Sequence, residues 1–363
     1  MIKKRMLSFF ILFLLIKSHS NLYGQNFDTI ISKRINLNRF NGVVLVSSKD
    51  SIVYLKSHGC IDFLCKEKIN DSSSFFLASV SKILTSFAIM KLVEEGKVSL
   101  RSPVDSILID FPIKEITIND LINHTSGLQF RFIKFINNSK SYNNKDLYEN
   151  FKKENHFITY NRKEQVDKMF DYSNFNYMLL ALILEKIHKK HFDEIINDFN
   201  KDKDNILFQQ IHFNDSFRSE NFAYPLMQKN NTLKNVYDIE IERDERNVYK
   251  NLYGHSNISA SILSINKLLS KFNKNEIVDT SLYNKERIES KRYFNGLSYF
   301  KIDNNLCLCH GGNITGYNHV ACFIPKLNCN FIILQNIHYD NIVYENNEIV
   351  KELIKTFFSK KSE

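Results

Sequence analysis

The chain has 363 residues, 43% of them hydrophobic and 25% charged, with a formal net charge of +9. That composition excludes a disordered chain and is enough for one sizeable core or two closely joined ones. Lysines and acids are interspersed, and no basic stripe interleaved with aromatics is present, which speaks against nucleic-acid binding.

In chain order, Lys3, Lys4 and Arg5 precede an apolar run from Met6 to Ile16 and then the polar segment "SHSNLYGQ". This is the pattern of an export signal, too short to span a bilayer, with cleavage expected after Ser20 or Gly24. An uncleaved anchor is the alternative. Residues 1–24 hold four cations and no acid, so their removal lowers the charge from +9 to +5. The mature domain is expected over residues 25–363, exported to the periplasm or secreted, with no stable membrane span.

"NFDTIISKRI" has helical spacing, and "GVVLVSSKDSIVYLKSHG" predicts two strands around a polar turn at Ser48 to Asp50. A helix opened by Ser79 carries Val80, Ile83, Leu84, Phe87, Ala88, Leu92 and Val93, with Gly96 placed to end it. Another begins near Thr117, where Thr117 and Asp120 have capping-box-like spacing. Residues 130–168 predict loops or lids with some helix. "NYMLLALILEKIHKKHF" is a strong helix pattern, a polar stretch follows from Asn197 to about Asn251, and "SASILSINKLLSKF" predicts an amphipathic helix with Ser259 as its amino cap.

From Tyr293 the pattern turns to strands, "YFNGLSYFKI", "NLCLCHGG", "HVACFIP" and "CNFIILQN", closed by a helix from Asn347 to Phe358. Strands at both ends and helices between them predict an α/β chain of α+β type. An antiparallel sheet is assembled from both chain ends and flanked by helices, beside a mostly helical subregion over about 76–255. The six cysteines do not have zinc-site spacing, and no metal is expected. Cys307 and Cys309 share a strand face, and Cys322 and Cys329 lie symmetrically about a turn where a bond across the hairpin is possible; alternatively all six are small buried apolar residues.

Three segments carry candidate chemistry. S-x-x-K at Ser79 to Lys82 is weak alone, since it recurs at Ser264 to Lys267 and Ser298 to Lys301. At the start of an apolar helix, however, residues three apart share a face, and the helix end and an ammonium favour developing negative charge. "DYSNFNY" places Tyr172 and Asn174 ahead of a strong helix, offering a phenol and an amide to one cleft. "LCLCHGGNITGY" ends an alternating strand in His310, Gly311 and Gly312, where two glycines allow close backbone approach and a ligand can lie along the strand edge.

In that order, S-V-S-K, Y-S-N and H-G-G resemble the serine β-lactamase and penicillin-binding-protein superfamily, most nearly the class C β-lactamase, D-Ala-D-Ala carboxypeptidase and esterase branch. The resemblance runs from about Phe40 to the end and includes "LINHTSGL", "GHSNISASILSINKLLSKF" and "HGGNITGY". It implies that Ser79 is acylated, that Lys82 assists proton transfer, that Tyr172 is the general base, as phenolate or sharing its proton with Lys82, and that Asn174 holds the substrate carbonyl. It also implies an oxyanion hole from the backbone N–H groups of Ser79 and Asn313, and substrate contacts at His310, Gly311 and Gly312. No cofactor is implied.

His310 stands where the penicillin-recognising members have lysine. An imidazole with a reference pKa of about 6.5 is mostly neutral at pH 7, which argues against an efficient β-lactamase more than against hydrolysis. Asn176 stands at a position often glycine in the family, and is expected to tolerate a left-handed turn there. The family's Pro-Leu-Gly-Met segment is missing, with "LFQQIHFNDSF" the candidate in its place. His124 is assigned to structure, satisfying backbone groups around a turn. The function implied is an exported serine hydrolase acting on D-amino-acid peptides of cell-wall type or small esters, with β-lactams third. A penicillin-binding-like sensor or non-catalytic peptidoglycan-binding module is the alternative, and an envelope structural protein a more distant one.

Overall fold

The computed structural model describes residues 25–49, 51–130, 143–153, 158–198, 221–229, 232–235, 251–283, 293–339 and 342–359. Residues 1–24, which carry the expected export signal, and "LFQQIHFNDSF" lie outside the described residues.

Helix α1 covers residues 25–36, as its spacing predicted. It leads into the hairpin of β1 (Gly42–Ser48) and β2 (Ser51–His58). The carboxyl-terminal part supplies β9 (Tyr293–Phe294), β10 (Leu297–Ile302), β11 (Asn305–Ile314), β12 (Tyr317–Ile324) and β13 (Cys329–Gln335). These join in one seven-stranded sheet of order β2-β1-β13-β12-β11-β10-β9, antiparallel throughout. The chain's two ends meet where β1 pairs with β13, Val44 opposite Ile333.

Both faces of this sheet are covered, which is why its central strands are apolar almost without interruption. Successive side chains point to opposite faces. Val43 and Leu45 of β1, with Ile332 and Leu334 of β13, pack toward α2 (Lys82–Glu94) and α8 (Ile262–Asn273), where Phe87 stacks on Phe272 with ring centroids 4.4 Å apart. Val44, Val46, Phe331 and Ile333 face the other way, onto Phe27 and Ile31 of α1 and onto Ile349, Leu353 and Phe357 of α9 (Ile342–Ser359). Each such side chain, fully buried, contributes about 1.5–3 kcal/mol.

Besides α2 and α8, the α-helices between the two halves of the sheet, among the described residues, are α3 (Ile118–Ile122), α4 (Asn144–Lys152), α5 (Arg162–Val166), α6 (Asn174–His188) and α7 (Phe192–Asp198). Thr117 caps α3 with the reciprocal capping box read from its spacing to Asp120. Short strands β4 (Leu128–Phe130) and β5 (Ile158–Tyr160) pair with each other, as do β3 (Phe75–Phe76) with β8 (Ser259–Ala260) and β6 (Leu226–Lys229) with β7 (Thr232–Asn235).

Four expectations are corrected. Ser259 does not cap α8; it lies in the two-residue strand Ser259–Ala260, paired with Phe75–Phe76, and Ser261 is the cap, its hydroxyl accepting the Ser264 N–H. The last helix begins at Ile342, not Asn347. Asn176 takes no left-handed turn, since it lies inside α6, buried, accepting a hydrogen bond from the Ser126 hydroxyl at 2.7 Å. Cys322 bonds to Cys309, its direct neighbour across β11 and β12, and not to Cys329; Cys60 bonds to Cys65, and Cys307 and Cys329 are buried thiols.

Candidate active site

The pairing of Phe75–Phe76 with Ser259–Ala260 delivers the chain to one place, and the Leu77 N–H to Ile258 carbonyl bond continues it. Ala78 then adopts a left-handed φ of 47°, and the residues Ala78–Ser81 form a 3-10 turn running directly into α2. Ser79, expected to open the helix, thus sits in the 3-10 turn just ahead of it. In such a turn residues three apart are eclipsed, which brings Lys82 beneath Ser79.

Lys82 has no exposed surface, and its Nζ has three acceptors: Ser79 Oγ at 3.0 Å, Asn174 Oδ1 at 2.9 Å and the His255 carbonyl at 2.8 Å. Asn174 is the first residue of α6, so the helix start presents its amide to the lysine. Tyr172 lies just ahead of the cap residue Ser173 and donates from its hydroxyl to Ser79 Oγ at 2.9 Å. Lys82 and Tyr172, from two separate segments, therefore converge on the Ser79 hydroxyl, and Asn174 with the His255 carbonyl holds the lysine there.

The electrostatics follow from burial. Desolvation drives the Lys82 ammonium well below its usual range, toward the neutral amine. Desolvation also raises the Tyr172 phenol, with the Ser79 hydrogen bond opposing. The Tyr172 side chain keeps 38% of its surface exposed, so water still reaches it and the upward push is weaker than for a fully buried phenol. Its direction nevertheless favours phenol over phenolate. The rings of Tyr172 and Tyr177 lie 4.9 and 5.6 Å from Lys82 Nζ, and their faces stabilise positive charge when the lysine carries it.

Strand β11 closes the other side. A Cβ on Gly312 would stand only 2.3 Å from the Leu77 carbonyl oxygen and 3.2 Å from Val80 N, whereas one on Gly311 would meet only the His319 carbonyl at 3.7 Å. Gly312 is thus required for β11 to lie against the turn holding Ser79, while Gly311 and Asn313 alternate onto the exposed side. His310 is buried: its Nδ1 lies 2.6 Å from the Gly311 carbonyl and its Nε2 2.9 Å from the Tyr293 hydroxyl. Since a carbonyl only accepts, Nδ1 carries the proton and Tyr293 donates to Nε2 in the neutral ring. Burial, then the charge of Lys82, lowers His310 to about 3.

Sequence reasoning missed two partners, the His255 carbonyl and Tyr293. A backbone acceptor leaves no side-chain signature, and a tyrosine at the start of a strand signals strand propensity and no more. Among the described residues no cluster of three or more His, Cys, Asp or Glu is placed to hold a metal, and no helix is long and apolar enough to cross a membrane.

Residues 27–198 match the family model described as Beta-lactamase, a span that takes in Ser79, Lys82, Tyr172 and Asn174 and stops before β11. The chain is 34% identical over 161 residues to penicillin-binding protein 4* of Bacillus subtilis, covering 44% of this chain and 35% of that protein. It is 24% identical over 264 residues to a teichoic acid D-alanine hydrolase of Staphylococcus aureus, covering 70% of this chain and 59% of that protein. The matches thus span about a third to three fifths of these relatives' length. Among solved structures, FmtA from Staphylococcus aureus superposes with a TM-score of 0.72 at 20% identity, over 92% of this chain and 89% of that one. The D-amino acid amidase from Ochrobactrum anthropi SV3 gives 0.74 at 16% identity, over 93% and 99%. At these identities the structural likeness shows the fold, while the resemblance to the β-lactamases and penicillin-binding proteins is borne out by the family model over residues 27–198 together with the curated relatives.

Proposed function

We propose that this chain, a relative of the serine β-lactamases and penicillin-binding proteins, is an exported serine hydrolase that works through an acyl-enzyme on Ser79. The observation that carries the reading is the simultaneous approach of the Tyr172 hydroxyl and Lys82 Nζ to Ser79 Oγ, at 2.9 and 3.0 Å. A serine hydroxyl needs a base at hydrogen-bond distance to become a nucleophile.

With Lys82 pushed toward the amine and Tyr172 toward the phenol, the amine is the first proton acceptor. Ser79 Oγ attacks the substrate carbonyl and its proton passes to Lys82 Nζ. The carbonyl oxygen gains negative charge, which the backbone N–H groups of Ser79 and Asn313 would stabilise. Tyr172, whose hydroxyl holds Ser79 Oγ in line for the attack, protonates the departing alcohol or amine as the tetrahedral species collapses and recovers its proton from Lys82. Water then repeats the sequence, losing a proton to the same pair and freeing the acid as Ser79 Oγ regains its own. Asn174 would orient the substrate carbonyl and keep Lys82 in place.

Among substrates, D-amino-acid peptides of cell-wall type and small esters fit better than β-lactams. A neutral His310 bound to Tyr293 supplies no fixed positive partner for a carboxylate, so esters and D-amino acyl bonds with no free carboxylate next to the scissile bond are favoured.

The test is intact-mass spectrometry of the protein with a fluorophosphonate, alongside Ser79→Ala. One adduct, absent in the variant, is expected, and a D-amino acyl ester should be turned over while a penicillin leaves little stable adduct. Folded protein that takes no fluorophosphonate would overturn the hydrolase reading and favour a sensor or binding module.

A further inference from the structure

Building on the acyl-enzyme reading, we infer that His124 is the positioning residue for Tyr172, holding the backbone on both sides of it and one face of its ring. The carbonyl of His124 accepts the Asp171 N–H at 2.8 Å, and its ring Nδ1 accepts the Ser173 N–H at 3.1 Å. Between these two bonds lies Tyr172, whose ring packs on the imidazole with centroids 4.3 Å apart and an interplanar angle of 32°. One residue therefore fixes the segment before, the segment after and the side chain itself. The remaining freedom of Tyr172 is taken by its hydroxyl on Ser79 Oγ.

The clamp is itself held. His124 has no exposed surface and a left-handed φ of 55°, an uncommon conformation for a non-glycine residue. It follows directly on α3, whose buried Asp120 accepts from Thr117, Thr125 and Lys168. The preceding turn is tied down by Tyr177, which donates to the Ile122 carbonyl, and by Asn123, which accepts the Asn295 N–H. A ring whose Nδ1 accepts from a backbone amide carries its single proton on Nε2, so His124 serves here as a neutral acceptor. Lys82, His310, Tyr172, Tyr177 and Tyr293 surround it, and burial above all keeps it neutral. A residue needed only for core volume would not require an acceptor at the Nδ1 position.

The experiment compares His124→Asn with His124→Gln, each alone and in a Tyr172→Phe background, by the rate of fluorophosphonate labelling of Ser79 and by thermal midpoint. Asparagine places an oxygen where Nδ1 lies and tolerates the left-handed backbone, so it should label at close to the wild-type rate. Glutamine carries its amide near the Nε2 position, and its labelling should fall by about tenfold to a hundredfold, the scale of an ångström-sized misplacement. In the Tyr172→Phe background the glutamine change should add no further slowing, because its effect passes through the lost hydroxyl. Equal labelling of Asn and Gln variants, or an undiminished glutamine effect without the Tyr172 hydroxyl, would overturn the inference. Absence of labelling in the wild-type protein, by contrast, strikes the hydrolase reading itself.

Discussion

At the scale of single residues, Lys82 decides most of the chemistry. An ammonium with no exposed surface is costly to keep charged, and the three oxygens around it are dipoles, not carboxylates. The amine is the form that can accept the Ser79 proton. Its population grows as pH rises through the lysine pKa, and because burial lowers that pKa, the active form is reached well below the ordinary lysine range. Labelling of Ser79 should therefore be substantial at neutral pH and climb with pH to a plateau, with a midpoint well under 10.5. Lys82→Arg keeps the charge and removes the base, and should slow labelling by about 10²–10⁴-fold. An arginine variant that labels normally would reduce Lys82 to an electrostatic role. Spacing made Ser79 and Lys82 visible as a pair. The carbonyl of His255, distant by 173 residues, was invisible because every residue carries one.

Elements show a different balance of what was readable. Alternation marked β11 as a strand ending in glycines, and the structure separates the two glycines by what lies behind them. Gly312→Ala would drive a methyl into the Leu77 carbonyl, forcing β11 away from the turn that holds Ser79; loss of labelling with a lowered thermal midpoint is expected. Gly311→Ala meets only ordinary contact and should change stability by no more than about 0.5 kcal/mol. Equal effects of the two changes on stability would contradict this geometry. Register was harder to read than strand identity. Cys309 and Cys322 bond because they stand opposite each other, a relation set by the turn between β11 and β12 and not by spacing around Pro325. Likewise Ser259 was claimed by a long-range pairing with Phe76, leaving the cap to Ser261. The last helix starts ahead of Asn347 because Asn346, although polar, is buried against the sheet with Gln335 and Asn318 as partners.

On the scale of the whole molecule, a sheet closed by the two chain ends and a helical region share the site, and both contain buried neutral histidines. His310 and His319 lie on β11 and β12; His124 follows α3 and His255 precedes α8, all of them at most 5% exposed. Desolvation lowers His310 to about 3 and His319 to about 4, and holds His124 and His255 well below the usual range. In the unfolded chain each would take up a proton near pH 6.5, while the folded chain does not. Below that pH the unfolded state binds more protons, so stability must fall as pH falls, by about 1.4 kcal/mol per pH unit for each histidine that stays neutral. Glu185 and Glu164, both raised by burial, pull the other way, two groups against the four buried histidines. The urea midpoint should therefore drop steeply between pH 6.5 and about 4.5, above the range where ordinary carboxylates titrate. His310→Gln, which cannot take up the proton in either state, should make that slope shallower. A midpoint that holds steady across the interval would show that the folded chain accommodates imidazolium at these sites, and would remove the physical basis for an uncharged His310 beside the nucleophile.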